Sequence, residues 1–206
     1  MSAGAARRAY TPAEYLQLER AAAYKSEYIN GQIVAMTGAS VEHNSIAGDF
    51  FGELRQQLRG RPCRAFTNDM RVKVSETGLY TYPDIVVACR PLRLEDAYVD
   101  TLLNPVVIVG VLSPSTELYD RSEKFAHYRR LESLREYILV AQDKMRAEQF
   151  VRQGDQWLLT EYRELDDVIR LDSIGCSVRL RDVYEGVELL ATGQAAASDD
   201  VPPAQS

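Results

Sequence analysis

"NPVVIVGVLSPST", residues 104–116, decides how this chain is read. Five of the six residues from Val106 to Val111 are β-branched, which predicts a buried strand. Gly110 interrupts that run just before the turn-forming Ser113-Pro114-Ser115-Thr116. A glycine costs a strand roughly 0.5–1 kcal/mol relative to alanine and contributes nothing to packing. Two explanations present themselves: backbone approaches closely at this point, or a functional side chain has been lost from it.

The rest of the chain sets the frame for that strand. Its 206 residues suffice for one domain with a full core, and 46% hydrophobic with 26% charged residues is ordinary globular usage. No apolar run reaches the roughly 18 residues that a membrane span requires. The N-terminus "MSAGAARRAY" lacks the apolar stretch of a secretory signal. Cys63, Cys89 and Cys176 have no metal-ligand spacing, so they are expected to be reduced and buried in a cytoplasmic protein. A net charge of −6 argues against a general nucleic-acid coat protein, whose affinity rests on phosphate neutralisation, but leaves room for a local basic groove. Basic residues do cluster: Arg55, Arg59, Arg61, Arg64, Arg71 and Lys73 form one group, and Arg121, Lys124, Arg129, Arg130 and Arg135 another. Both are expected on solvated faces.

Local patterns predict the element order. Thr11, Pro12 and Glu14 form a helix start with a capping box. Asn30-Gly31 between alternating runs is a hairpin signal. Ser40 caps a second helix that places Ile46, Phe50, Leu54 and Leu58 on one stripe and stops at Gly60. Strands are expected near Arg64 to Thr67, in "MRVKVS", in "LYTYPDIVVAC" and in the opening stretch. A further helix over "TELYDRSEKFAHYRRLES" has Leu118, Phe125, Tyr128 and Leu131 available for an apolar side. "EYILVA" then returns to a buried strand, a hairpin turns at Gly154-Asp155, and "GCSVRLRDVYEGVEL" closes the domain. The organisation is one mixed α/β domain over residues 10–190, between a disordered N-terminus (1–9) and a disordered tail (191–206).

Asp84, after Pro83 and before an apolar strand, is the carboxylate that most needs a reason. It is either a turn residue at the strand entry or a group that holds a cation, because a buried carboxylate is costly unless it is paired.

"GLYTYPDIVVA", "NPVVIVGVLSPSTELYDRSEKFAHYRRL", "REYILVAQD" and the earlier "SEYINGQIVAMTGASVEHNSIAGDFFGEL" resemble, in that order, the Uma-type restriction endonuclease family of the PD-(D/E)XK nuclease superfamily. The resemblance implies a restriction-endonuclease-like α/β core, a central mixed sheet flanked by helices, with an N-terminal helix and hairpin. It implies Mg²⁺- or Mn²⁺-dependent hydrolysis of DNA, with Asp84 as a catalytic metal ligand. It also implies Lys124 beside the attacking water, Glu27 as an accessory acid and His43 facing the same cleft. A hard divalent cation suits that chemistry, because it supplies a hydroxide near neutral pH and neutralises charge on the leaving oxygen.

The chain departs from the family at one position. The family's strand reads Glu-Val-Leu-Ser-Pro-Ser, whereas here it reads Gly110-Val111-Leu112-Ser113-Pro114-Ser115. The second carboxylate is missing. Glu27, Glu42 and Glu117 are the nearby acids that could substitute for it. Three readings therefore remain: an impaired Mg²⁺-dependent endonuclease, a degenerate member that binds DNA or a protein partner without cutting, and a structural homodimer.

Overall fold

The computed structural model describes residues 8–189; the expectations for 1–7 and for the tail from 191 lie outside the described residues. Helix α1 (Pro12–Ala21) starts at Thr11, and both halves of the capping box form with Glu14. Strands β1 (Ser26–Ile29) and β2 (Gln32–Ala35) form the expected hairpin. Its two-residue turn has positive φ at both Asn30 (49°) and Gly31 (82°), the conformation that an Asn-Gly pair adopts most cheaply. Helix α2 (Val41–Gln57) is capped by Ser40 and buries Ile46, Phe50 and Leu54 completely.

The following strands are β3 (Cys63–Thr67), β4 (Arg71–Val74), β5 (Leu79–Thr81), β6 (Ile85–Cys89), β7 (Thr101–Leu102) and β8 (Val107–Leu112). Then α3 (Glu117–Tyr119) runs through a π-helical turn, Asp120–Lys124, into α4 (Phe125–Tyr128). The chain continues through β9 (Glu136–Ala141), β10 (Ala147–Gln153), β11 (Gln156–Tyr162), β12 (Val168–Leu171), β13 (Cys176–Arg179) and α5 (Leu180–Val183).

The central layer is a six-stranded mixed sheet in the order β11-β10-β9-β8-β6-β3. Within it β8 runs parallel to β9 and antiparallel to β6. A five-stranded sheet, β2-β1-β5-β4-β7, and the β12-β13 pair complete the architecture. Alternation along β8 sorts its side chains between two cores. Val107, Val109 and Val111 join Phe50, Leu54 and α5 in one cluster, while Ile108 and Leu112 join Val72, Phe125, Tyr128 and Tyr137 in the other. Gly110 has the parity of Ile108 and Leu112, so it belongs to the second face.

Four expectations need correction. "LYTYPDIVVAC" is not one strand. It breaks at Tyr82-Pro83-Asp84, so that β5 enters the five-stranded sheet and β6 the six-stranded one. Pro83 has no N–H for a ladder, and the break follows from that. Leu118 is 80% exposed and is not part of the apolar side, because the π-helical turn rephases the helix after it. The basic clusters are not uniformly solvated. Arg71 is fully buried against Thr101, Tyr82 and Asp100, and Lys124 is buried among carboxylates. Finally, the cysteines are not all free. The β3–β6 register sets Cys63 opposite Cys89, and the two are joined as a disulfide, leaving Cys176 as a buried free thiol.

Candidate functional site

The break at Pro83 leaves Asp84 at the entry of β6, and the β6–β8 register pairs Ile85 with Val109. One step further, Asp84 stands opposite Gly110 on the same face of the sheet. Asp84 Oδ2 accepts a hydrogen bond from the Val111 amide at 2.7 Å, which fixes the carboxylate at the strand end. Its Oδ1 lies 3.0 Å from His43 Nε2. His43 reaches it from the first turn of α2, whose position is set by the Ser40 cap on the His43 amide.

The π-helical turn supplies the opposite wall. Lys124 Nζ lies 2.9 Å from Glu27 Oε1 and 3.4 Å from Asp120 Oδ1. Glu27 comes from β1, inside the hairpin, and also accepts from the Thr81 hydroxyl on β5. Asp84, His43, Glu27, Asp120 and Lys124 line one cleft of about 890 Å³, which also holds Gly110, Tyr119, Tyr128 and Tyr137. The four sequence-predicted side chains, Asp84, Lys124, Glu27 and His43, are thus brought together with Gly110.

The electrostatics of this wall follow from burial. Desolvation opposes the charge on Lys124, yet Tyr128, Glu27 and Asp120 outweigh it and hold the ammonium well above the ordinary lysine range. Burial pushes Asp120 up, with Lys124 acting against it. Burial also raises the Tyr119 phenol to about 12 and keeps Tyr128 and Tyr137 protonated at any physiological pH. Lys124 at neutral pH is therefore a fixed positive charge and not a base.

Asp120 and the three tyrosines were not singled out by sequence reasoning. The only local signal was the four-residue spacing of Asp120 and Lys124, which reads equally well as a surface pair. The proposed substitute acids fare differently from one another. Glu27 lines the cleft, whereas Glu117 is engaged by Arg121 and Arg146, and Glu42, half-buried on the first turn of α2, does not line the cleft.

The donor set does not fit the divalent cation that the resemblance implies. Mg²⁺ demands near-octahedral oxygen coordination. Here both Asp84 oxygens already accept hydrogen bonds or face His43, Glu27 is satisfied by Thr81 and Lys124, and position 110 carries no side chain. Among the described residues no group of three or more His, Cys, Asp or Glu side chains is arranged to hold a metal ion.

Comparison with known proteins agrees with this architecture. A solved structure from Anabaena variabilis ATCC 29413, titled as "a putative nuclease belonging to DUF820", superposes with a TM-score of 0.71 at 19% identity, covering 86% of this chain and 99% of that one. That likeness establishes a shared mixed α/β fold. Two uncharacterized proteins of Synechocystis sp. (strain ATCC 27184 / PCC 6803 / Kazusa) are similar in sequence. One, sll1609, is 39% identical over 152 residues, 73% of this chain and 86% of the relative. The other, slr1290, is 35% identical over 178 residues, 86% and 92% respectively. The Uma2 family model, described as "Putative restriction endonuclease", matches residues 12–181. With that match spanning the elements from α1 to α5, the chain belongs to the Uma2 family.

Proposed function

We propose that this protein is a DNA-directed member of the nuclease fold whose Mg²⁺-dependent phosphodiester hydrolysis is impaired, because Gly110 occupies the position of the second acidic ligand. The observation that carries this reading is the register. Extending the Ile85–Val109 pairing by one residue sets Asp84, just before β6, beside Gly110 of β8, within one cleft that also contains Lys124. Lys124 supplies fixed positive charge toward a phosphate. Asp84 and His43 form a pair able to hold a proton between carboxylate and imidazole, and Glu27 keeps Lys124 in place. Metal binding, to Mg²⁺ or Mn²⁺, is weak in this reading, since one strand-borne carboxylate already engaged by an amide offers little to a strongly hydrated ion. A cytoplasmic location belongs to the same proposal and rests on the family alone, because the Cys63–Cys89 pairing removes the argument from reduced thiols.

A second reading, binding without cutting, is favoured by the same two engaged oxygens of Asp84. The test that separates the two is Mn²⁺ titration and duplex cleavage by the chain and its Gly110→Glu variant. A Cβ at Gly110 would meet Leu139 Cδ2 at 3.4 Å and Tyr137 Oη at 3.9 Å, so a side chain can be accommodated by a small shift of the leucine methyl. Gly110→Glu is expected to gain Mn²⁺ binding, and Asp84→Ala in that background to abolish the gain. Gain of binding without cleavage supports the second reading; no gain of binding refutes the assignment of position 110.

A further inference from the structure

A second charged surface lies at the other end of the same two elements that carry the site. Arg55 and Arg59, at the end of α2 and just beyond it, surround one open depression with Arg61, Arg64 on edge strand β3, and Arg90 just past β6. All five are exposed. None is ion-paired among the described residues. Arg61 has a structural task, donating to the carbonyls of Ile174 and Gly175. The negative end of the α2 dipole accounts for basic residues at Arg55 and Arg59. Neither explanation reaches Arg64 and Arg90, which stand on and beside strands.

The contrast with the cleft is one of sign. The charged groups lining the cleft are two lysines and three carboxylates, apart from His43, so it is net negative. The depression carries five guanidiniums and no carboxylate, in a chain of net charge −6. Guanidiniums match phosphate oxygens with paired donors, and crowding them without counter-charge is unfavourable unless an anion joins them.

We propose that this arginine cluster is a second site on the protein, one that binds the phosphodiester backbone of duplex DNA away from the cleft. Its distance from Asp84 follows from element geometry. Arg90 is six residues beyond Asp84 along β6, roughly 20 Å, and Arg55 is twelve residues beyond His43 along α2, about 18 Å. The site contacts phosphate and not bases, so it supplies affinity without sequence preference. The inference rests on the DNA part of the proposed function but not on turnover, and it is tested without any cleavage measurement.

The experiment is fluorescence anisotropy of a labelled 20-base-pair duplex, titrated with the full chain and with Arg59→Gln/Arg64→Gln at several salt concentrations. Each phosphate contact contributes a slope of about 0.9 in log K against log salt, so the double variant should flatten the slope by about 1.8 and bind roughly 60-fold more weakly at 0.1 M salt. Arg55→Gln/Arg90→Gln should behave in the same way and guards against a local folding defect in the first variant. Unchanged affinity and slope in both folded double variants would overturn the site. So would loss of binding by Lys124→Met, assayed where circular dichroism shows that variant folded, with the arginine variants unaffected, which would locate DNA affinity in the cleft. Failure of Gly110→Glu to gain metal would count against the proposed chemistry and leave this result standing.

Discussion

Replacing Lys124 with methionine tests the buried charge network in the cleft wall. The Lys124 side chain is 14% exposed, Glu27 10% and Asp120 13%, so all three charges depend on one another for solvation. At separations of 2.9 and 3.4 Å, the attraction at an effective dielectric of about 20 is roughly 6 and 5 kcal/mol before desolvation is subtracted. Desolvation removes much of that, and breaking a buried pair by deleting one partner typically costs 3–5 kcal/mol because a charge is stranded. With a urea dependence near 2 kcal/mol per molar, Lys124→Met should lower the unfolding midpoint by about 1.5–2.5 M. Glu27→Gln in the same chain should restore part of the loss, since it removes the stranded carboxylate while an amide oxygen can still accept from Thr81. A coupling of roughly 1–3 kcal/mol between the two substitutions is expected from a double-mutant cycle. Urea denaturation followed by tyrosine and tryptophan fluorescence reads all four midpoints. A shift below about 0.5 M for Lys124→Met, or strict additivity with Glu27→Gln, would refute the network and the fixed charge assigned to Lys124.

Two further outcomes follow from other parts of the fold. The hydrogen bond from Arg20, opposed by burial and joined by Thr101 and Arg71, holds the Asp100 carboxyl well below the ordinary aspartate range. A depressed folded value means that the stabilisation is fully present above the unfolded value of about 3.9 and is lost as pH falls through the folded one. Asp100→Asn should therefore destabilise the protein at pH 7 and reduce the further loss of stability between about pH 4 and pH 2, measured by thermal melts across that range; an unchanged acid limb would contradict the assignment. Thiol titration of the unreduced, denatured chain should return one reactive cysteine, Cys176, and three after reduction, whereas three before reduction would show that Cys63 and Cys89 are not joined.

Sequence patterns located most of what is local and little of what depends on register. The α2 stripe, the Asn30-Gly31 turn and the Thr11 capping box were legible because each is decided within a few residues by capping, turn conformation or helical period. Gly110 was legible as an anomaly because a glycine has no place in a β-branched strand, and the resemblance gave the anomaly a meaning. Pro83 marks the break in "LYTYPDIVVAC", but the assignment of its halves to two sheets was not legible, since only the ladder decides which partner each takes. The same holds for Cys63 and Cys89, 26 residues apart, which become neighbours only through the β3–β6 pairing. Burial of Arg71 and Lys124 went unread for a related reason: their counter-charges, Asp100 and Glu27, come from distant segments. Asp120 was visible as a partner for Lys124, but the π-helical turn that aims both into the cleft has no compositional mark.

The charge arrangement ties the missing carboxylate to the arginine surface. A phosphodiester carries one negative charge and would approach a cleft that already holds Asp84, Glu27 and Asp120 against two lysines, one of which, Lys25, is also drawn to Asp69. Lys124 is the positive group such a cleft offers a phosphate, and the cleft's net negative charge makes that attraction weak without an added cation. Glutamate at position 110 would deepen the negative charge and at the same time complete a pair of facing carboxylates, making cation capture the favourable outcome. On the proposed function, a cleft with Gly110 holds a metal weakly and, being net negative, a phosphate weakly as well. On that reading DNA affinity comes from uncompensated positive surface, and Arg55, Arg59, Arg64 and Arg90, which have no ion-pair partner among the described residues, are the proposed source at the far end of α2 and β6. The two proposals, impaired turnover at the cleft and DNA binding at the arginine surface, are therefore separable by experiment, because they concern opposite ends of the same helix and strand.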